Sequence, residues 1–313
     1  MRAAAIVFIH EKRGWFLPYA LQQAALAERH VPIVLLGDRE PSRNIHFHSI
    51  DGLKMDPGAL QFESKYRHMS THTRQFELFC WLRWFYLLAF MRRENLPAVF
   101  YHDSDVMLQE DSAVLANHYG SKFDYCAYIH SSHSAGSSGH SSYWTLSSLE
   151  DFCDYAIRSF TDRDPLERYR RRWEQWRQKG LAGGICDMTT LEFFRVDHMP
   201  KVANLAEVHA GCAFDVSMAR AHNDEENEYV LENGLKKIII GENGHFYFVK
   251  AGDGSLVRAM ALHFQANEPK LRMRHYYRGS FFAEKPWCDA QMILKSIYWP
   301  LKASLASLRR PRP

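Results

Sequence analysis

Ala98-Val99-Phe100-Tyr101-His102-Asp103-Ser104-Asp105-Val106-Met107-Leu108 decides how the rest of this chain is read. A short apolar run ends in two carboxylates one residue apart, and a second apolar run begins at once. On an extended backbone, period-two alternation puts Asp103 and Asp105 on the same side. Two hard oxygen donors at the end of a buried strand suit a divalent cation such as Mg2+ or Mn2+, and such a cation suits a diphosphate. The spacing alone is not rare, since 17 Asp in 313 residues give about one Asp-x-Asp by chance. Asp162-Arg163-Asp164 serves as an internal control. It ends a polar helical stretch just before Pro165 and reads as a helix-end turn. Only the first copy has a strand before it and a strand after it.

Upstream, Ala3 to Ile9 reads as a buried strand, Phe16 to Arg29 as a helix and Val31 to Leu36 as a second strand. Strand, helix and strand within about 35 residues make a βαβ unit, hence a parallel sheet with a right-handed crossover. Ligands of such sheets collect at the carboxyl ends of strands. His10 and Asp38 lie near two of those ends and Asp103 at a third. No Gly-rich fingerprint follows either early strand, which argues against a dinucleotide site of the usual kind. Residues 40–60 are turn-rich. Gln75 to Arg93 is a helix apolar on nearly all sides and therefore covered. Arg83 in its middle needs a partner, either a structural carboxylate or a nucleotide phosphate.

Downstream, Phe123 to Ile129 is a further strand, leading into a Ser/Gly/His-rich stretch from His130 to Ser142. That composition predicts a mobile loop, read either as plain surface or as a lid or acceptor loop over the strand ends. Thr145 to Phe160 and Leu166 to Lys179 read as helices, with Pro165 opening the second. Leu166, Tyr169, Trp173 and Trp176 share one face of it, and basic residues cover most of the rest. It is either a core helix with a solvated basic face or a basic amphipathic helix for an anionic membrane or phosphorylated acceptor. Gly183 and Gly184 allow close backbone approach, and Asp187 then caps a helix, faces a sugar, or does both. Gly252-Asp253-Gly254 signals a hairpin whose second strand ends in Leu262-His263-Phe264-Gln265. His263 is either a packed core histidine or a third ligand for the carboxylate pair. Asp289 to Pro313 has mostly helical apolar spacing, broken by Pro300, with five basic residues against one acid.

Composition narrows the function classes. Apolar content of 46% with 14% aromatic excludes global disorder. A net charge of +3 is too small to imply nucleic-acid binding, so no nucleic-acid partner is expected. Six scattered cysteines without a Cys-x-x-Cys point to a reducing compartment. Met1 to His10 reads as a strand rather than a signal segment. Phe76 to Met91 is below spanning length and carries Glu77 and Arg83, so a buried helix is expected there. The expected location is cytoplasmic, with peripheral contact at the inner face of the membrane through 165–180 or 289–313.

Taken in order, these residues resemble a GT-A fold glycosyltransferase, close in layout to the glycogenin and bacterial lipopolysaccharide galactosyltransferase type. The matching features are the leading strand with Trp15 to Leu21, Arg83-Trp84-Phe85, the Asp103-Ser104-Asp105 DXD motif, Gly-Gly before Asp187, and His263-Phe264-Gln265 with Lys270. The Gly183-to-Thr189 segment also resembles bacterial capsule and cell-surface polysaccharide enzymes. The resemblance covers roughly residues 3–275. It implies an α/β fold with a GT-A type Rossmann-like mixed sheet and flanking helices in one main domain, 1–288. A nucleotide-binding half (1–110) and an acceptor-side half (111–288) precede a basic amphipathic tail, 289–313. The implied activity is metal-dependent transfer of a hexosyl group from a nucleotide sugar, a UDP-sugar foremost. The acceptor would be a glycan or lipid-linked chain of cell-surface polysaccharide synthesis.

By the same resemblance, Asp103, Asp105 and His263 would hold Mn2+ or Mg2+. His10, Asp38, Arg83, Ser104, Gly183, Gly184 and Lys270 would line the donor site, with Arg83 and Lys270 neutralising leaving-group charge. Asp187 would be the catalytic residue, and Gly139, His140 and Ser141 would lie by the acceptor. Two departures stand out. Ala266 occupies a position where such families often carry Gly, and Met188 stands where glycogenin-like enzymes carry Gln after the Asp. The second leaves the stereochemical course open, with retention the implied outcome. Two other readings stand beside this one. A metal-dependent nucleotidyltransferase or nucleotide-sugar hydrolase would want a Gly-rich basic first loop, of which His10 to Gly14 is a faint version. A non-enzymatic carbohydrate-binding or peripheral membrane protein would make Asp103 and Asp105 dispensable.

Overall fold

The strands expected on either side of Asp103–Asp105 both form, but they belong to different sheets. The computed structural model describes residues 3–12, 14–41, 44–119, 124–130, 136–242 and 244–308. Strands β1 (Ile6–His10), β2 (Ile33–Gly37), β3 (His46–Ser49) and β4 (Ala98–His102) run parallel in one sheet. The chain then leaves that sheet as β5 (Val106–Leu108) and returns as β6 (Cys126–His130), β7 (Ser137–Thr145) and β8 (Val202–Asn204). The order is β3-β2-β1-β4-β7-β6-β8, with β7 antiparallel to β4 and to β6. After β9 (Cys212–Phe214), the short hairpin of β10 (Leu231–Glu232) and β11 (Leu235–Lys236) precedes β12 (Ile238–Ile240), β13 (Phe246–Val249) and β14 (Leu256–His263). The second sheet runs β12-β13-β14-β5, and β9 pairs with β14. The architecture is therefore α/β with a mixed sheet and flanking helices, as expected.

Alternation along β1 explains why both faces of the main sheet are covered. Ile6 and Phe8 face one core with α1 (Leu17–Ala27) and the second sheet. Val7 and Ile9 face another core, built on the helices of the opposite side. Those are α2 (Asp51–Lys54), α3 (Pro57–Lys65), α4 (Arg74–Arg93), α6 (Leu146–Thr161), α7 (Arg163–Gln178) and α8 (Asp187–Asp197), with α5 (Ser112–Tyr119) placed after β5. A parallel sheet buried on both faces needs such near-continuous apolar strands. The chain closes with α9 (Asn267–Lys270) and α10 (Lys285–Leu308). Among the described residues, no helix is long and apolar enough to cross a membrane.

Four local expectations change. Residues 40–60 hold β3, α2 and the start of α3 rather than turns alone, with Asp56 capping α3 through Gly58 N–H at 2.9 Å. Much of the stretch expected as a mobile loop is β7, because its small Ser and Gly side chains fit between β4 and β6 under large aromatics. Residues 131–135 of that stretch lie outside the described residues. The residue in capping position at α8 is Cys186, which puts Asp187 inside the first turn. Finally, α10 starts before Asp289 and continues past Pro300, at the cost of one backbone hydrogen bond. Cys288 and Met292 seat this helix in the main core. Of the control pair, Asp162 stands between the end of α6 and the start of α7, as read, whereas Asp164 lies in the first turn of α7.

Candidate active site at the junction of two sheets

Asp103, Ser104 and Asp105 form the turn by which the chain crosses from the first sheet to the second. Val106 N–H donates to the Asp103 carbonyl at 3.0 Å, closing the turn. One flank is pinned to β7, where Asp103 N–H donates to the His140 carbonyl at 2.8 Å. The other is pinned to β14, where Phe264 N–H donates to the Asp105 carbonyl at 3.0 Å. A closed turn breaks the period-two alternation expected of an extended strand, so the two carboxylates meet different partners. Ser104 sits between them, half-buried at the corner.

Asp103 belongs to a buried ion-pair network. Its Oδ1 accepts from Arg83 Nη1 at 2.6 Å and from the Tyr101 hydroxyl at 2.6 Å. Arg83 Nη2 donates to Asp187 Oδ2 at 2.6 Å, and Trp84 Nε1 donates to the same oxygen at 3.0 Å. The other Asp187 oxygen accepts from Met188 N–H at 2.9 Å. Arg83 is thus paired with two carboxylates. Burial alone would raise the Asp103 pKa, but the Arg83 charge and the Tyr101 hydrogen bond outweigh it and hold this carboxyl below its usual range. Burial likewise opposes the Arg83 charge, and Asp103, Tyr101 and Asp187 together drive its pKa well up.

Asp105 faces the other way. Lys270 Nζ lies 2.9 Å from its Oδ2, and His263 Nε2 lies 3.6 Å from its Oδ1. The tautomer of His263 follows from its second nitrogen. Nδ1 lies 2.7 Å from the Val216 carbonyl, which can only accept, so Nδ1 donates. Nε2 is therefore the nitrogen left to face the Asp105 carboxylate. A histidine that donates one nitrogen to a backbone carbonyl and offers the other is the usual arrangement of a metal ligand.

A rigid shelf holds His263. Its ring stacks on His140 with centroids 3.8 Å apart. His140 donates from Nε2 to the Asp215 carbonyl at 2.9 Å and accepts at Nδ1 from Ser138. Burial, with the neighbouring His263, holds its pKa well below the usual range and keeps the ring neutral. The Asp215 side chain accepts from His263 N–H at 3.0 Å and from Lys236 Nζ at 2.7 Å. Lys236 is fully buried and also reaches Ser217 O, His222 O and Asn223 Oδ1. An ammonium with four oxygen neighbours fixes the loop whose carbonyls orient both rings.

The donor-side residues divide. His10 and Asp38 line a pocket of about 100 Å3 at the ends of β1 and β2, with Gly14, Leu17 and Leu35. Burial lowers the His10 pKa, against the pull of Asp105 and Asp38. Gly183 and Gly184 have φ of +93° and +158°. Gly184 crosses the backbone at Met69 and Ser70 so closely that a Cβ would collide with it, and Ser70 and Gly184 form a β-bridge. These glycines are accounted for by chain crossing. Ala266 has φ +70° and ψ 174°, a region that belongs to glycine, which gives a physical reason for Gly at that point elsewhere.

Two expectations change here. The Asp103–Asp105–His263 ligand set is not gathered as a trio, and no group of three or more His, Cys, Asp or Glu suited to a metal occurs among the described residues. Arg83 and Tyr101 hold Asp103 aside, leaving Asp105 and His263 as the facing pair. Gly139, His140 and Ser141 are buried on β7 rather than on an open loop. Gly139 packs on Trp84, and Ser141 bonds His102 Nδ1 at 3.1 Å. Sequence reasoning missed Tyr101, Trp84, Asp215 and Lys236. Asp215 carries a weak signal, since it follows the apolar strand β9 directly, as Asp103 follows β4.

The chain is similar to several solved structures. One is the apo form of mouse xyloside xylosyltransferase 1, with a TM-score of 0.42 and 10% identity over 64% of this chain and 84% of that one. Another is the apo form of the bifunctional glycosyltransferase WbbM, at 0.42 and 12% over 72% of this chain and 41% of that one. A third is the galactosyltransferase LgtC in complex with donor and acceptor sugar analogs, at 0.34 and 12% over 64% and 72%. No family model and no curated protein matches the chain.

Proposed function

We propose that this chain is a GT-A type, metal-dependent glycosyltransferase. It moves a hexosyl group from a UDP-sugar to a glycan or lipid-linked acceptor of cell-surface polysaccharide. The observation that carries the reading is the approach of His263 Nε2 to the Asp105 carboxylate at 3.6 Å, with Nδ1 committed to the Val216 carbonyl, beside the Lys270 ammonium. An imidazole nitrogen and a carboxylate so placed can share a cation. The pair also sits where the strand order turns from β1 to β4, the place where open α/β sheets take their ligands. The residues present fit a hard divalent cation. Asp105 and His263 would hold Mn2+ or Mg2+, and diphosphate and water oxygens would complete its shell. When bound, the cation supplies charge neutralisation on the leaving diphosphate.

The chain's own residues divide the remaining work. Lys270 stands against Asp105, where it can share phosphate charge. The pocket of His10 and Asp38 lies at the neighbouring strand ends and is the candidate nucleoside site. Arg83 carries the donor side toward Asp187. Asp187 Oδ2 accepts from Arg83 and Trp84 and so positions both, while Oδ1, which takes the Met188 N–H, keeps acceptor capacity for the donor sugar. Retention is the stereochemical course that goes with this reading. Incubation with a panel of sugar nucleotides and Mn2+ tests the reading. Nucleotide release that disappears in Asp105→Ala supports it. No release from any donor, or equal release from the variant, overturns it.

A further inference from the structure

Between the α9 turn and α10 lies a groove of about 590 Å3 that the site described above does not use. Arg272, Arg274 and Lys295 line it, and its only acid is Glu268. These three cations make no ion pair with a carboxylate among the described residues. Four arginines of α7 differ, because Glu167 pairs with Arg170 and Arg171, Glu174 with Arg177, and Asp197 with Arg168. An unneutralised positive cavity is an anion site by charge complementarity.

The other half of the groove is apolar, with Leu271, Ile293 and Trp299 in its wall. Its apolar side continues outward along α10. Ile293, Leu294, Ile297 and Tyr298 are each more than half exposed and recur at i, i+1, i+4 and i+5, which is one helix face. Cys288 and Met292 seat the opposite face in the core. A cationic recess that opens onto an apolar stripe matches one kind of molecule, with an anionic head and a hydrocarbon chain. The recess also adjoins the reaction site, since Leu271 follows Lys270 directly and Arg272 N–H closes the same turn on the Pro269 carbonyl at 2.9 Å.

We infer that this groove binds the phosphate of an alkyl or prenyl phosphate, with the hydrocarbon chain laid along the exposed face of α10, and that this phosphorylated amphiphile is the carrier of the acceptor. The word acceptor rests on the glycosyltransferase reading; the binding site does not. Calorimetric titration of the full chain with decyl phosphate, inorganic phosphate and decyl maltoside separates the contributions of head and chain. Decyl phosphate is expected to bind at least about tenfold more tightly than either of the others, a difference of about 1.4 kcal/mol. The double variant Arg272→Ala, Arg274→Ala should weaken decyl phosphate by about tenfold or more with unchanged circular dichroism. Ile293→Ser with Ile297→Ser should weaken decyl phosphate and leave inorganic phosphate unchanged. Equal binding of decyl maltoside and decyl phosphate, or unchanged decyl phosphate affinity in the arginine double variant, overturns the inference. Retention of the chain on phosphatidylglycerol vesicles that decyl phosphate does not displace also overturns it, in favour of a flat lipid surface. Donor cleavage without acceptor is read in parallel. Its loss with intact decyl phosphate binding refutes the enzyme and leaves the groove; the converse refutes the groove alone.

Discussion

Asp103 and Asp105 are one residue apart and live in opposite regimes. Asp103 is half of a closed set, in which Arg83, Tyr101, Trp84 and Met188 N–H supply donors to two carboxylates. Asp105 ends in a contact with Lys270 and an unresolved confrontation with His263. The first arrangement stores stability, because each charge is paired inside a poorly solvated pocket. The second leaves an interaction incomplete, and incomplete polar interactions near strand ends are where ligands act. The difference shows that an Asp-x-Asp motif is not a single functional unit here. A turn divides it between a structural side and a reactive side.

The strongest way to break this comparison is to remove Arg83. In Arg83→Met the buried Asp187 and the adjoining Asp103 lose their shared cation, and a cost of about 3–5 kcal/mol is expected. Urea denaturation reads it directly. The corresponding change on the other side, Asp105→Ala, should cost about 1 kcal/mol, because it also relieves the contact with His263. Equal losses from the two variants would remove the distinction.

Acid sharpens it next. Burial pushes His102 down to about 3 and holds His140 well below the usual range. Both stay neutral in the folded chain, whereas the unfolded chain takes up protons below about pH 6.5. The unfolded state therefore binds more protons, so stability is full above that value and falls as pH drops. Two such sites predict a loss of about 2.5 kcal/mol between pH 7 and pH 5.5. Asp103, whose folded pKa is depressed, adds to the loss only below about pH 4. Denaturation midpoints across this range check both the sign and the onset, and a flat profile from pH 7 to pH 5.5 would contradict neutral burial of His140 beneath His263.

The smallest effect is expected at Ala266. Its glycine-type backbone (φ +70°) is strained by about 1–3 kcal/mol, and glycine gives back part of that in unfolded-state entropy. Ala266→Gly should raise stability by about 1 kcal/mol, readable as a higher melting temperature without a change in donor binding.

Much of this fold was legible in the sequence because its signals are local. The βαβ unit over β1, α1 and β2, the covered helix around Arg83 and the β13–β14 hairpin all follow from periodicity and turn chemistry. The stretch from Ser137 to Thr145 did not, because its composition of Ser and Gly says loop, whereas tertiary packing against Trp84 and the neighbouring strands makes it a central strand. The site was legible as a set of residues and illegible as a geometry. Asp103, Arg83 and Asp187 meet in one set, and Asp105, His263 and Lys270 in another. Which of them pair depends on a closed turn and on a crossing between two sheets, and neither leaves a periodic trace. Lys236 was invisible for a related reason: nothing in Leu235-Lys236-Lys237-Ile238 says that one lysine is wholly buried and its neighbour only half-buried.

The central claim, that Asp105 and His263 together form a cation site for a nucleoside diphosphate, is tested most directly by thermal unfolding with Mn2+ and uridine diphosphate. Ligand that binds only the folded chain raises the melting temperature in proportion to its saturation. The account predicts that the two added together raise it more than either alone, and that Asp105→Ala and His263→Ala each abolish the joint increment. A joint increment that survives in both variants, or its absence from the unaltered chain, would contradict the account.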